Sequence, residues 1–454
     1  MKNRTLGIVL LIGILVTGCK GDDSSVVLPH PIEQQLSIEQ QLSIEQTAER
    51  TGTAQESQPI VITMEELEAA DAKRAAESEQ TADCMQSADC MQSVDSKQSE
   101  EDTETVLFEE PCHSSYAYDH LSEAEKLWYR DINRTLGNLL EKQELTAEGM
   151  EMGLKESDID RIFQCVLNDH PEYFYVEGYT YIRFTRLEKT VKLEFSGTYS
   201  MDEEEALRRK AHMEAETEEI LMGISEDASD YDKIKYIYET IVYQTEYDLD
   251  APDNQNIYSV LVNQRSVCQG YAKALQYLLT RLNVECTLVA GTVDTGEGHA
   301  WNLVRSSGNY YYVDATWGDA FYQVEEAEEG YTDHIPQINY DYLCITTEQL
   351  LRTHTPGSVV EMPVCESMED NYYVREGAYF IEADEEQLKT LFGKAAEQGR
   401  TDIALKCAYP TVYEEMVRKL IDEQEIFSYM QAESNSVAYA QNEKQLSMTF
   451  WVTN

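Results

Sequence analysis

Two patterns of apolar and polar positions divide this chain near residue 110. Before that point the apolar residues stand alone in short polar repeats. Ile32-Glu33-Gln34-Gln35-Leu36-Ser37 recurs at once over residues 38–43 and starts again at Ile44. Ala82-Asp83-Cys84-Met85-Gln86-Ser87 recurs over 88–93 and decays over 94–99. A period of six fits neither a helix nor a heptad, and such units cannot bury enough surface to offset their ordering entropy. Residues 19–110 therefore read as a low-complexity, disordered tether, whose reach grows as roughly 5–6 Å times the square root of its length.

Beyond it the periodicities become those of folded elements. Helical spacing predicts helices over 121–143, 157–168, 202–222 and 231–243, and alternation predicts strands over 179–185 and 191–199. Residues 111–230 are thus expected to form a helical and β-hairpin front module. In the next segment, 231–356, Tyr271, Leu275, Leu278 and Leu282 form one apolar stripe. Strands follow over 285–293, 299–304 and 310–314, with Ser306-Ser307-Gly308-Asn309 as the hairpin turn between the last two. A helix packed on a meandering antiparallel sheet is an α+β layer pair. Residues 370–454 read as a small α/β module: a strand over 371–381, a helix over 385–398, a strand over 402–409, a helix over 413–432 and two closing strands.

Charge narrows the function classes. With 85 acidic against 35 basic side chains among 454 residues, the formal net charge is -50. Such a field repels polynucleotides and anionic headgroups, so nucleic acid is not an expected partner. At the N-terminus Lys2 and Arg4 precede an apolar run from Leu6 to Val16, too short to span a bilayer but suited to an export signal over residues 1–18. Val16-Thr17-Gly18-Cys19 resembles a bacterial lipobox, which predicts cleavage before Cys19, lipidation of that cysteine, and tethering on the extracytoplasmic face of the membrane. Ten cysteines are present, with neither a compact disulfide framework nor zinc spacing, so no metal or other cofactor is expected.

Candidate chemistry centres on Cys268. Ser266 with Gln269 three residues on predicts a capping box, which places Cys268 at the second position of the following helix. The positive end of a helix stabilises an anion, and the thiolate is the nucleophilic form of cysteine. His299 begins one strand of the predicted hairpin and Asp314 ends its partner, so antiparallel pairing brings them together. A nucleophile, an imidazole and an orienting carboxylate are the parts of a cysteine triad. Gly270 and Gly298 would leave room for a substrate chain.

Three ordered blocks carry a resemblance: Cys268-Gln269-Gly270-Tyr271-Ala272, Gly298-His299-Ala300-Trp301-Asn302, and Tyr311-Tyr312-Val313-Asp314-Ala315-Thr316-Trp317-Gly318-Asp319. They resemble the transglutaminase-like superfamily, whose architecture is that of papain-like cysteine proteases. The segment 169–181 is similar to the front region of bacterial lipoproteins carrying this domain. The resemblance implies that Cys268 is the nucleophile, His299 the general base and acid, and Asp314 the orienting carboxylate. Acyl transfer or hydrolysis on peptide or protein amides, on surface or cell-wall partners, would proceed through a thioester. Animal members place an oxyanion-stabilising tryptophan well before the cysteine; none occupies 231–266 here, and Tyr243 and Tyr247 are the candidate substitutes. Gln269, Gly270, Trp301, Asn302 and Trp317 are expected around the pocket. The alternative class is a binding or scaffold lipoprotein that keeps the fold without turnover.

Overall fold

The computed structural model describes residues 11–16, 60–63, 116–186, 189–319, 336–357, 359–430 and 436–452. Two compact units result, one over Leu42–Lys210 and the other over Met1–Gln41 with Ala211–Asn454. Thr17-Gly18-Cys19 of the lipobox and the hexad repeats lie outside the described residues. Of the expected leader and tether, Leu11–Val16 (β1) and Ile60–Thr63 (β2) are described, each as a strand. Among the described residues no helix is long and apolar enough to cross a membrane.

In the first unit Glu123–Gly137 (α1) starts at a true capping box: Ser122 Oγ accepts from the Glu125 amide, and Glu125 accepts from the Ser122 amide. Ile159–Asp169 (α2) packs on α1 and ends on a carboxylate with three donors. Asp169 accepts from the amides of Ala117 and Tyr118 and from the Tyr129 hydroxyl, all at 2.9 Å. Burial still pushes its carboxyl up to about 6. A long antiparallel hairpin, Val176–Arg186 (β3) and Lys189–Tyr199 (β4), completes the unit, with β2 parallel to β3 at its edge.

The second unit has an α+β core. Asp230–Gln244 (α3) and Ile257–Leu261 (α4) precede Cys268–Arg281 (α5). Four antiparallel strands follow in the spatial order Asn309–Val313 (β7), Gly298–Ser306 (β6), Cys286–Val293 (β5), His354–Pro356 (β8). The expected β6–β7 hairpin forms: Ser306 pairs with Asn309, and Ser307 and Gly308 take φ of 51° and 84°. Both are left-handed values, as a two-residue primed turn requires. Where α5 crosses the sheet, Ala272 meets Leu288 and Ala300. Two alanines at that contact let the helix sit close to the sheet. Ala315–Gly318 (α6) follows β7 directly.

A second sheet closes this unit. Its order is β1, Ser436–Asn442 (β10), Ser447–Val452 (β11), Asp402–Cys407 (β9) and Tyr379–Phe380, with Glu385–Glu397 (α7) as its principal helix. Two expectations are corrected here. The strand expected over 371–381 shrinks to Tyr379–Phe380, because Asn371 accepts from the Tyr373 amide and starts a helical turn at Tyr372–Arg375. The helix expected over 413–432 begins earlier, at Pro410, whose ring suits a first helical position. It then widens at Arg418–Asp422, stops, and resumes at Ile426–Tyr429.

Candidate active site

Cys268 is the first residue of α5, preceded by Val267 as a cap without a side-chain bond. The expected Ser266–Gln269 capping box is absent. Arg265–Ser266 is instead a short strand beside Glu246–Tyr247, which holds Ser266 extended. Its hydroxyl donates to the Asn254 carbonyl at 2.7 Å and meets Ser259 Oγ at 2.6 Å. The consequence is a shift of Cys268 from second to first helical position, still among the amides with no acceptor inside the helix. Among the described cysteines Cys268 is half-buried, whereas Cys165, Cys286, Cys344, Cys365 and Cys407 are buried.

The imidazole and carboxylate meet diagonally beyond the last hairpin pair, Val313 with Asn302. His299 Nε2 donates to Asp314 Oδ2 at 2.7 Å, with both side chains almost fully buried. Because Nε2 faces the carboxylate, Nδ1 is the ring nitrogen left for Cys268, which lines the same cleft as His299. Asp314 also caps α6: its Oδ1 accepts from the amides of Thr316 (2.9 Å) and Trp317 (3.1 Å). One oxygen is thus fixed by backbone and the other is aimed at imidazole. Burial opposes charge on His299, but the adjacent Asp314 carboxylate and the Cys268 contact outweigh it and push the ring up to about 10. Burial likewise opposes charge on Asp314, and the two imidazoles beside it hold its carboxyl far below the usual range.

The second of those imidazoles was not expected. His354, on β8, donates Nε2–H to the same Asp314 Oδ2 at 3.1 Å and is wholly buried. It lies 40 residues beyond Asp314, on a three-residue strand too short to show alternation, so the sequence carries no signal for it. Trp301 and Trp317 enclose both rings: His299 lies 5.9 Å and 5.8 Å from them, His354 4.9 Å and 4.5 Å. His299, Asp314 and His354 also each offer a ligand atom within 4.8 Å of the others. A metal there would need lone pairs on the two Nε2 atoms that now carry hydrogen toward Asp314, so the two arrangements exclude each other.

A cleft with room for about one water, ≈ 30 Å³, opens on the pair and is lined by Tyr247, Cys268, Val293, Glu297, His299 and Trp317. Tyr247 therefore reaches the site, whereas Tyr243 is 63% exposed and is not among the cleft residues. Burial first, then Cys268 and Glu297, keep the Tyr247 hydroxyl protonated far above neutrality. Gly298 has open space where a Cβ would stand, as expected for substrate approach. Gly270 does not: its Cβ would fall 1.9 Å from Ser266 Oγ and 3.1 Å from the Asn254 carbonyl. It serves close packing of α5, not access. Asn302 is buried and donates to the Ala272 carbonyl at 2.9 Å, tying β6 to α5. Trp301 is buried behind His299, and Gln269 is half-buried and outside the cleft lining.

Comparison with known proteins agrees on the family of this segment. The model of the transglutaminase-like superfamily matches residues 218–315. Kyphoscoliosis peptidase of Mus musculus is 29% identical over 111 residues, which are 21% of this chain and 17% of the mouse protein. The Homo sapiens protein of that name is 27% identical over 118 residues, 22% of this chain and 18% of its own. The matched stretch thus spans less than a fifth of either relative. A crystallised TGase overlays with a TM-score of 0.24 at 15% identity, covering 36% of this chain and 50% of that one. Over residues 218–315, this chain is similar to the transglutaminase-like superfamily.

Proposed function

We propose that this domain is a cysteine acyltransferase or amidohydrolase acting on peptide or protein amides. The observation that carries the reading is one cleft lined by Cys268 and by His299, whose imidazole is hydrogen-bonded to Asp314. With its ring pushed up to about 10, His299 is an imidazolium at neutral pH, the positive partner that a thiolate needs. Sγ attacks the amide carbonyl carbon and a carbon–sulfur bond forms. As the carbon–nitrogen bond breaks, the leaving amine takes its proton from His299 Nδ1, and an acyl thioester remains. Water or an amine then attacks the thioester while Nδ1 accepts the proton, and Cys268 is released. Asp314, fixed by its cap on α6, keeps the ring oriented and offsets its charge through both steps. The oxyanion would receive the Cys268 amide, unpaired at the first helical position, and the Tyr247 hydroxyl; one such donor is worth about 2.7–4 kcal/mol.

The test is a glutamine-containing peptide supplied with and without a primary amine. Turnover lost in Cys268→Ala supports the reading, and incorporation of the amine separates transfer from hydrolysis. Absence of any acyl-enzyme on Cys268 across a peptide library would contradict it. Chelators should leave the reaction unchanged; loss of activity with EDTA and its return with a divalent ion would instead favour the metal arrangement of His299, Asp314 and His354.

We also propose that the domain works on the extracytoplasmic face of a membrane, tethered through Cys19. Lys2, Arg4, the apolar run and Val16-Thr17-Gly18-Cys19 support this. Cleavage before Cys19 would remove β1 and leave β10 as the sheet edge. Incorporation of labelled fatty acid that Cys19→Ala abolishes is the expected result, and equal labelling of both chains would count against it.

A further inference from the structure

The second imidazole on Asp314 belongs to a buried polar series that runs into the C-terminal sheet. Lys406, on β9, is fully buried and can only donate; its Nζ meets Gln445 Oε1 at 3.1 Å and the Asp341 carbonyl at 3.3 Å. That fixes the Gln445 amide, so its Nε2 donates to the Gln349 carbonyl at 3.1 Å and toward Thr353 Oγ1 at 3.5 Å. Tyr342 also approaches Thr353 Oγ1, at 3.3 Å. Thr353 Oγ1 lies 2.8 Å from His354 Nδ1, and the other ring nitrogen faces a carboxylate oxygen, which can only accept. His354 must then be the tautomer that carries hydrogen on Nε2, the nitrogen facing Asp314 Oδ2. The reverse tautomer would point a lone pair at a carboxylate.

Asp341 anchors the same region from the other side. Its Oδ2 accepts from Ser447 Oγ at 2.7 Å and Asn442 Nδ2 at 2.8 Å, both from the C-terminal sheet, and its Oδ1 accepts from the Tyr373 hydroxyl at 2.9 Å. One residue on, the Tyr342 carbonyl accepts the Asp314 amide at 3.0 Å. The backbone that ends in the triad carboxylate and the imidazole that shares its oxygen are thus both held from β9 and from the turn joining β10 to β11.

We propose that His354 is a positioning residue for the Cys268–His299–Asp314 chemistry, with its ring held in place through Thr353 and Gln445 by the C-terminal module. This rests on the reading of the site as a cysteine triad. The module then contributes support for that ring rather than a substrate surface. By holding Asp314 Oδ2 from a second side, His354 keeps that oxygen in line with His299 Nε2 when substrate enters.

Thr353 gives a test in which a structural role and a positioning role predict opposite orders. Thr353→Val keeps the volume and removes the hydroxyl; Thr353→Ser keeps the hydroxyl and removes a methyl. The readout is the rate of Cys268 alkylation by iodoacetamide in the full chain at pH 7, with His299→Ala as the floor. The proposal predicts a rate near wild type for Thr353→Ser and about tenfold slower labelling for Thr353→Val. His354→Gln, which retains a donor, should label faster than His354→Leu. Thr353→Val labelling as fast as Thr353→Ser, or His354→Leu as fast as His354→Gln, overturns the proposal. Circular dichroism on each variant confirms that the comparison is between folded chains. If wild type and His299→Ala label alike, the triad reading itself fails, which is a separate outcome.

Discussion

Gly270 and Gly298 each stand one residue or two from a reacting side chain, and a methyl group would meet different surroundings at each. At Gly270 it would strike Ser266 Oγ, which cannot turn away because Asn254 and Ser259 hold it. Gly270→Ala should therefore destabilise the fold by about 1–3 kcal/mol, as overpacking does, and displace the start of α5. At Gly298 nothing lies within 4 Å, so Gly298→Ala should move the midpoint of urea unfolding little while slowing reaction of Cys268 with a bulky peptide reagent. Denaturation and labelling on the same two proteins check both. His299 supplies a pH dependence. Its folded pKa, about 10, lies above the ordinary 6.5, so its contribution to stability is present in full below about 6.5 and disappears as pH rises through 10. The stability gap between wild type and His299→Phe should shrink over that window; a gap constant from pH 6 to pH 10 would contradict the ion pair with Asp314.

At the scale of elements, what the sequence disclosed followed from local pattern. The β6–β7 hairpin was legible because Ser306-Ser307-Gly308-Asn309 is a turn-forming run in which Ser307-Gly308 accepts left-handed backbone. Its register ends at Val313 opposite Asn302, so Asp314 falls near Trp301 and reaches diagonally to His299, two residues away on the same face of β6. The capping box at Ser266 was not real, because a short parallel pairing with Glu246–Tyr247 claimed the serine first; a tertiary contact overrode a local signal. His354 was illegible for a related reason: β8 is three residues long and is held as a strand by β5, not by its own pattern. The C-terminal elements showed their helices and strands, but nothing local revealed Lys406 and Asp341 as a buried pair, with nitrogen and oxygen 3.8 Å apart. Burial pulls the Lys406 ammonium down to about 8, which leaves it charged at neutral pH. Removing one partner of such a pair strands the other. Lys406→Met should thus cost about 3–5 kcal/mol in chemical unfolding, whereas a surface pair such as Lys389 with Glu386 should be nearly silent.

For the whole molecule, the account is of one chemically competent centre in a chain with several thiols. Burial pushes Cys165 and Cys407 up to about 12, Cys365 up to about 11, and Cys286 and Cys344 well above the ordinary thiol. All five are kept as inert thiols, while Cys268 faces a cleft beside an imidazolium. The strong negative charge and the proposed tether bear on where the domain meets its substrate, not on whether Cys268 reacts. Selective alkylation of the folded, full-length protein at pH 7, read by peptide mass spectrometry, tests the central claim most directly. The account predicts that Cys268 is modified at least tenfold faster than these five cysteines and that His299→Ala removes most of that advantage. Equal labelling of all six, or a Cys268 rate indifferent to His299, would contradict it.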